Sequence, residues 1–328
     1  MLKLIDQTPL ANIPWEECPK DFSGPIWRYS GNPVISRHPN KRIARSFNSA
    51  IVPFKGGFKG VFRGDTKTDI PHLFLGESKD GIHFVLQEEP IHFLDESGKE
   101  VKDTDYQYDP RLIEIEGRYY LVWCDEMFGP TLAIAYTDDF VAFKKLDHPF
   151  LPYNRNGVLF PRRFHGSYLM LNRPSDSGHT AFGDIFLSES PDLLHWGKHR
   201  HVAEKGYEWW CGLKIGPGPA PIETEEGWLL FIHGVNLTCN GFVYSLGGLI
   251  LDREDPSKVL YRCSEYLLTP EEDYETRGFV PNVIFPTSAL VDGKSGRIAL
   301  YYGAADTATG LAFTTIDRVV SYIKEHSR

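Results

Sequence analysis

Gly117-Arg118-Tyr119-Tyr120-Leu121-Val122-Trp123 is a glycine leading into a run of aromatic and aliphatic residues, and the same phrase returns four more times. It reads Gly57-Phe58-Lys59-Gly60-Val61-Phe62 before it. After it come Gly166-Ser167-Tyr168-Leu169-Met170-Leu171, Gly227-Trp228-Leu229-Leu230-Phe231-Ile232 and Gly296-Arg297-Ile298-Ala299-Leu300-Tyr301-Tyr302. Each copy describes a buried strand entered from a tight turn. The glycines stand 60, 49, 61 and 69 residues apart, a period that belongs to repeat architectures.

An apolar strand precedes each copy: Ser49 to Phe54, Arg111 to Ile115, Val158 to Phe164, Ala220 to Glu223 and Thr287 to Val291. Five hairpins result. After three of them a third strand ends in a second shared phrase, Ser/Thr-x-Asp-x-x-x-aromatic, at Ser78 to Phe84, Thr137 to Phe143 and Ser190 to Trp196. A hydroxyl and a carboxylate at that spacing cap a tight turn through local bonds to backbone N–H groups, and the aromatic starts the next strand. Fourth strands are expected at Pro90-Ile91-His92-Phe93 and Pro149-Phe150-Leu151.

Four strands repeated five times predict an all-β fold, a five-bladed β-propeller. The fifth unit lacks a fourth strand after Gly310 to Ile316, and a helical tail from Arg318 to Glu325 follows. Asn32-Pro33-Val34-Ile35 supplies the missing piece, so the N-terminal segment (about 1–40) is expected to complete blade five and close the ring. The whole chain, 1–328, then forms one domain with a short C-terminal helix at about 317–328. A two-sheet sandwich is the rival, but it does not account for the repeat.

Composition narrows the function. A formal charge of −9 argues against a nucleic-acid or anionic-membrane partner, which requires a basic face. No run of 18 apolar residues marks a membrane span, and the N-terminus carries no apolar secretory segment, so a cytoplasmic protein is expected. The five cysteines, Cys18, Cys124, Cys211, Cys239 and Cys263, form no CxxC pair and indicate no metal site. Aromatic residues make up 13%, which suits both pleated sheets and sugar-binding surfaces.

In a propeller the innermost strands line a central channel, so polar residues there are the candidates for chemistry. They are Asn48 and Ser49, Asp109, Arg155 and Asn156 with Arg162, Lys214, and Asn282. The second strands end in Arg63 and Asp65, Arg173 and Asp176, His233, and Asp306. Glycoside hydrolysis requires two carboxylates, and Asp65, Asp109, Asp176 and Asp306 could supply them. Yet Arg155, Arg173, Lys214 and His233 exceed what a neutral sugar needs, whereas phosphate oxygens match arginine forks. If phosphate is the nucleophile, no base has to activate water and one acid suffices. By local sequence Asp109 reads equally as a turn-forming residue before Pro110 or as that acid. Arg173 and Asp176 could instead form a structural ion pair, and Gly216-Pro217-Gly218-Pro219 reads as a rigid turn.

Tyr108-Asp109-Pro110-Arg111, Asn154 to Arg162, Arg173-Pro174-Ser175-Asp176, Phe182-Gly183-Asp184-Ile185, Lys214-Ile215-Gly216, Tyr301 to Thr307 and Gly310-Leu311-Ala312 together resemble glycoside hydrolase family 130. The likeness runs from about Asn32 to the end, and within the family it leans toward the phosphorylases of β-1,4-mannooligosaccharides. The resemblance implies a glycosyltransferase-type phosphorylase performing reversible, inverting phosphorolysis. It would release α-D-mannose 1-phosphate from the non-reducing end. Asp109 falls on the family's catalytic aspartate, which passes its proton through the mannose 3-hydroxyl. The phosphate ligands carry over to Arg155, Asn156, Arg173, Lys214, His233 and Tyr244. The sugar contacts carry over to Asn48, Ser49, Arg63, Asp65 and Asp306. Phosphate is a co-substrate, no metal or organic cofactor is implied, and a homo-oligomer is expected. The alternatives are a β-mannoside hydrolase on the same propeller, a preference for mannosyl-glucose or mannosyl-N-acetylglucosamine, and a non-catalytic sugar-binding propeller. The match is weakest at Asp95 to Asp105 and Gly206 to Trp210, loops expected to shape the acceptor side.

Overall fold

The computed structural model describes all residues except 1, 7, 11, 103, 105, 177–181, 207 and 328, so parts of both weakly matching loops lie outside the described residues. Five sheets, antiparallel but for one short parallel pair in the second, follow one another along the chain, one for each repeat. Blade 1 runs through Ile43–Phe54, Gly57–Thr66, Pro71–Ser78 and Val85–Pro90. Blade 2 runs through Tyr108–Ile115, Arg118–Glu126, Pro130–Thr137 and Phe143–Lys145, and blade 3 through Asn154–Leu159, Tyr168–Pro174, Ile185–Ser190 and Gly197–Ala203. In blade 4 the innermost strand is split into Lys214–Pro217 and Ile222–Thr224, both paired with Gly227–Thr238, and Gly241–Leu251 and Val259–Arg262 complete the sheet. Blade 5 consists of Ile284–Val291, Arg297–Ala304 and Ala308–Thr315.

The N-terminal segment closes the ring. Trp27–Arg28 adds to the outer edge of blade 5 with Trp27 opposite Phe313, and Ile35 bridges Thr309 a little further on. Asn32 side-chain Oδ1 accepts from the Leu311 N–H at 2.8 Å and its Nδ2 donates to the Leu311 carbonyl at 2.8 Å. The helix Ile316–Glu325 follows directly and buries Val319, Val320 and Ile323 against blades 4 and 5.

The core divides as a closed propeller requires, because each blade is apolar on both faces and must pack against two neighbours. Five hydrophobic clusters fill the five seams, including the one between blades 5 and 1, where Phe62, Phe74 and Tyr301 meet. The Ser/Thr-x-Asp phrases are turn caps. Ser78 Oγ accepts from the Gly81 N–H at 3.0 Å while Asp80 Oδ1 accepts from Ile82 and His83 at 3.0 and 2.9 Å. Thr137 with Asp139, and Ser190 with Asp192, repeat the arrangement.

Two expected fourth strands are displaced. The strand that closes blade 1 ends at Pro90, and Phe93 crosses to blade 2, where it pairs in parallel with Phe143 and stacks on Trp123 at 4.5 Å. Burying two large rings against each other outweighs continuation of an exposed edge strand. Pro149-Phe150-Leu151 is a connector rather than a strand: Phe150 packs on Trp196 of blade 3, and its carbonyl accepts from Thr131 Oγ1 at 2.8 Å. The innermost strands also begin earlier than their apolar runs, because the polar residues before each run are themselves part of the ladder.

Candidate active site

One backbone device is used three times at the start of the innermost strands. The strand register slips between Phe47 and Ser49, between Tyr108 and Arg111, and between Arg155 and Val158. Each slip is a bulge that re-aims a side chain. Its first residue is Asn48, Asp109 or Asn156, with φ of 52°, 54° and 55°. Short Asn and Asp side chains tolerate this left-handed conformation better than other non-glycine residues. Pro110 fits in the bulge because an edge position there needs no N–H. Asp109 is therefore both a turn-forming residue and a presented carboxylate.

Blade 1 grips that carboxylate. Asn48 Nδ2 donates to Asp109 Oδ1 at 2.7 Å, and Arg63 Nη1 donates to the same oxygen at 3.3 Å. Arg63 is held in turn by Asp65, whose Oδ1 accepts from Arg63 Nε at 2.9 Å and whose Oδ2 accepts from Arg45 Nη2 at 3.1 Å. Asp65 is thus buried with both oxygens occupied by guanidinium groups. Burial works against the Arg63 charge, but Asp109, Asp65 and Asp306 together hold its pKa above the ordinary arginine value. The Arg63 guanidinium also lies 4.3 Å from the Phe47 ring centroid.

Asp306 occupies a tight turn in which both central residues, Ala305 and Asp306, are left-handed, and the Thr307 N–H closes it on the Ala304 carbonyl at 2.9 Å. Such a turn normally selects Asn or Gly. Burial, reinforced by the charges of Asp109 and Asp65, raises the Asp306 pKa to about 6 although Arg63 opposes the shift.

The cations lie on blades 3 and 4. Burial lowers Arg173 to about 10, with Arg155 adding to the effect, and burial lowers Lys214 to about 8, with Arg173 and Arg155 adding again. Among the described residues none of the three forms an ion pair with a carboxylate, and no ion pair joins Arg173 to Asp176. Arg155 Nε donates to Tyr108 Oη at 3.3 Å, and Arg173 Nη1 donates to His233 Nε2 at 3.0 Å. Since a guanidinium only donates, His233 carries its proton on Nδ1, a fully buried donor with no partner among the described residues. Burial and the charges of Arg173, Lys214 and Arg111 keep this imidazole neutral. Tyr244 stacks beside His233 at 6.4 Å, and burial with Asp306 nearby raises its hydroxyl to about 12.

Glycines make room for the polar groups. A Cβ on Gly303 would lie 1.9 Å from Asn48 Oδ1, and one on Gly216 would lie 2.5 Å from His233 Cε1 and 3.0 Å from Asn156 Oδ1. Asp109 acts electrostatically on Arg63, Arg155, Arg173, Lys214 and Tyr244, and Asp306 acts on Arg63, Lys214 and Tyr244, so these carboxylates face a cluster of cations across the channel. Ser49 is fully buried behind Asn48, its hydroxyl without a partner among the described residues.

Arg162, a candidate by sequence, lies elsewhere. It forms a two-pronged pair with Glu223 at 3.0 and 2.9 Å, at the far end of the channel. A cavity of about 660 Å³ lies there too, lined by Ile51, Leu112, Val158, Leu159 and the N-terminal Leu4 and Ile5; Arg111 reaches it, but Asp109, Arg155, Arg173, Lys214 and His233 do not. Sequence reading passed over Arg45, Tyr108 and Arg111. Tyr108 and Arg111 flank Asp109 in Tyr-Asp-Pro-Arg, and that adjacency was their only signal.

Such an arrangement can bind a dianion beside one acid and a polar sugar-sized group. The chain is similar to proteins already known. A family model described as beta-1,4-mannooligosaccharide phosphorylase matches residues 8–325. A beta-1,4-mannooligosaccharide phosphorylase from Ruminococcus albus is 51% identical over 99% of this chain and 98% of its own length. A 1,2-beta-oligomannan phosphorylase from Thermoanaerobacter is 32% identical over 87% of this chain and 95% of its own. The solved complex of a beta-1,2-mannobiose phosphorylase from Listeria innocua with beta-1,2-mannobiose superposes with a TM-score of 0.82 at 26% identity, covering 92% of this chain and 99% of that one.

Proposed function

The chain belongs to glycoside hydrolase family 130, and from that premise we propose that it cleaves β-1,4-mannooligosaccharides with phosphate. The observation that carries this reading is the cluster of Arg155, Arg173 and Lys214, unpaired with any carboxylate among the described residues, opposite Asp109. Buried cations without counter-ions are costly, and a bound phosphate dianion repays that cost. Asn156, Tyr244 and the Nδ1–H of the neutral His233 complete the phosphate site. Asn48, Ser49, Arg63, Asp65 and Asp306 form the sugar side, Asp65 through its hold on Arg63.

Phosphate oxygen attacks the anomeric carbon of the terminal mannose at the non-reducing end, from the face opposite the leaving oxygen. The glycosidic C–O bond breaks as the new C–O bond forms, which inverts the configuration and yields α-D-mannose 1-phosphate. The leaving oxygen takes a proton, which Asp109 delivers through the mannose 3-hydroxyl. No base is needed, because phosphate is already an anion. The cations hold it in line and offset the cost of taking its charge out of water.

The same reading treats the chain as one catalytic propeller that works as a homo-oligomer in the cytoplasm. Five unpaired cysteines fit a reducing compartment. The test of function is to incubate β-1,4-mannobiose and mannotriose with and without phosphate and follow mannose 1-phosphate by phosphorus NMR. Phosphate-dependent release is expected. Equal cleavage to free mannose in phosphate-free buffer would establish the hydrolase instead, and binding without turnover would establish a lectin-like propeller.

A further inference from the structure

Arg111 is buried to 4% exposure, yet its hydrogen bonds are all to backbone carbonyls. Its Nη1 donates to the carbonyls of Pro110 at 3.0 Å and Asp109 at 3.3 Å, and its Nε donates to the Gly218 carbonyl at 2.6 Å. No carboxylate among the described residues pairs with it, and burial lowers its pKa only to about 10, so it stays charged near neutrality. The Phe285 ring lies 5.3 Å from the guanidinium, on the blade 5 side.

Two of the gripped carbonyls belong to the bulge that carries Asp109, and that bulge is held at φ 54°, a conformation that is costly to maintain for a residue other than glycine. The third carbonyl, Gly218, follows the strand Lys214–Pro217 on blade 4, where Gly216 gives clearance to His233 and Asn156. Arg111 therefore spans the channel from the acid-bearing backbone to the backbone of the phosphate-side strand.

We propose that Arg111 is a positioning residue for the reaction: through its three backbone bonds it fixes the distance between Asp109 and the anion site. The proposal rests on the reading of Asp109 as the acid. Arg111 reaches the two blades with two separate nitrogens of one rigid plane, Nη1 and Nε; a lysine keeps the charge and has three N–H donors, but all on one atom at the end of a flexible stem. Displacement of a catalytic group by about 1 Å costs about 10²-fold in rate. Such a loss belongs in kcat, not in the affinity for sugar or phosphate.

The test compares Arg111→Lys and Arg111→Ala with the wild-type enzyme in phosphorolysis of β-1,4-mannobiose. Arg111→Lys is expected to lose about 10²-fold in kcat while KM for both substrates is kept. Added guanidinium, at concentrations that leave the wild type active, is expected to restore part of kcat to Arg111→Ala. Placing Arg111→Lys in an Asp109→Asn background should cause no further loss. Wild-type kcat in Arg111→Lys overturns the proposal, and so does loss of folded circular dichroism in both variants, which would make Arg111 a core residue alone. If Asp109→Asn by itself retains turnover, the assignment of the acid fails instead, and that outcome is read independently of Arg111.

Discussion

Asn48 on blade 1 donates to Asp109 Oδ1 on blade 2 at 2.7 Å, and both residues sit in left-handed bulges at the same level of the channel. The bond spans a seam between blades, so the orientation of the acid depends on ring closure rather than on its own hairpin. Asn48 is in turn confined by Gly303 of blade 5. Three blades thus set one carboxylate.

Replacing Asp109 with Asn leaves a side chain of the same shape without a proton to give. The Asp109→Asn variant is expected to fold normally and to lose about 10²- to 10⁴-fold in kcat. Steady-state phosphorolysis of mannobiose measures the loss, and near-normal turnover would show that the acid is another residue.

Gly303→Ala and Gly216→Ala separate the two halves of the site. A methyl at 303 must displace Asn48 and should lower kcat, leaving phosphate affinity intact. A methyl at 216 must displace His233 or Asn156 and should raise KM for phosphate. Identical kinetic effects from the two variants would contradict the division of labour.

If Lys214 is a phosphate ligand, its pKa of about 8 should make phosphate binding pH-dependent. Above pH 8 the empty site holds a neutral amine, which binding must reprotonate. The phosphate KM should therefore climb by about one log unit per pH unit there. Lys214→Arg should abolish the climb. A flat KM between pH 7 and pH 9.5 (roughly the range that brackets an amine titrating near 8) would show that Lys214 is not a ligand.

Asp306 titrates near pH 6 in the folded protein, above its unfolded value of about 4. The folded state therefore holds the extra proton in that window. Its stabilising effect is complete below about pH 4 and disappears as pH rises through 6. Urea midpoints of wild type and Asp306→Asn, compared across the window, should differ by this slope. Parallel curves would refute the shift.

Trp209 presents a 62% exposed side chain edge-on to Tyr266, at the loop before the blade 4 strand that carries Lys214. If this loop shapes the acceptor side, Trp209→Ala should raise KM for acceptor mannose or mannobiose in the synthetic direction. KM for mannose 1-phosphate should stay unchanged. An unaffected acceptor KM would remove the loop from the substrate path.

Much of this site was readable before any fold was known, and for identifiable reasons. Asp109, Arg173, Lys214 and His233 are polar residues at the ends of apolar strand phrases, where a bare scaffold needs none. Arg162 stands in an equally suggestive place, but strand direction carries it to the far end of the channel and Glu223 takes both its prongs. Arg111 was not among the candidates because its partners are carbonyls, and carbonyls leave no mark on side-chain patterns. The fourth strands were misplaced because Phe93 and Phe150 are apolar enough for either a strand or a connector, and only the neighbouring blade decides between them.

The five glycine-led phrases, the turn-capping Ser/Thr-x-Asp pairs and the unpaired tail of blade 5 determine by local rules a five-bladed ring, because turn chemistry and strand periodicity act between near neighbours in the chain. The direction and partners of each polar side chain were decided by tertiary structure alone. Asn48, Asp109, Asn156 and Asp306 owe their placement to left-handed bulges and turns facing a channel that exists only once five blades have closed. Burial there alters the charge state of Asp306, Lys214 and His233 through neighbours distant in sequence, which no pattern along a single chain can encode.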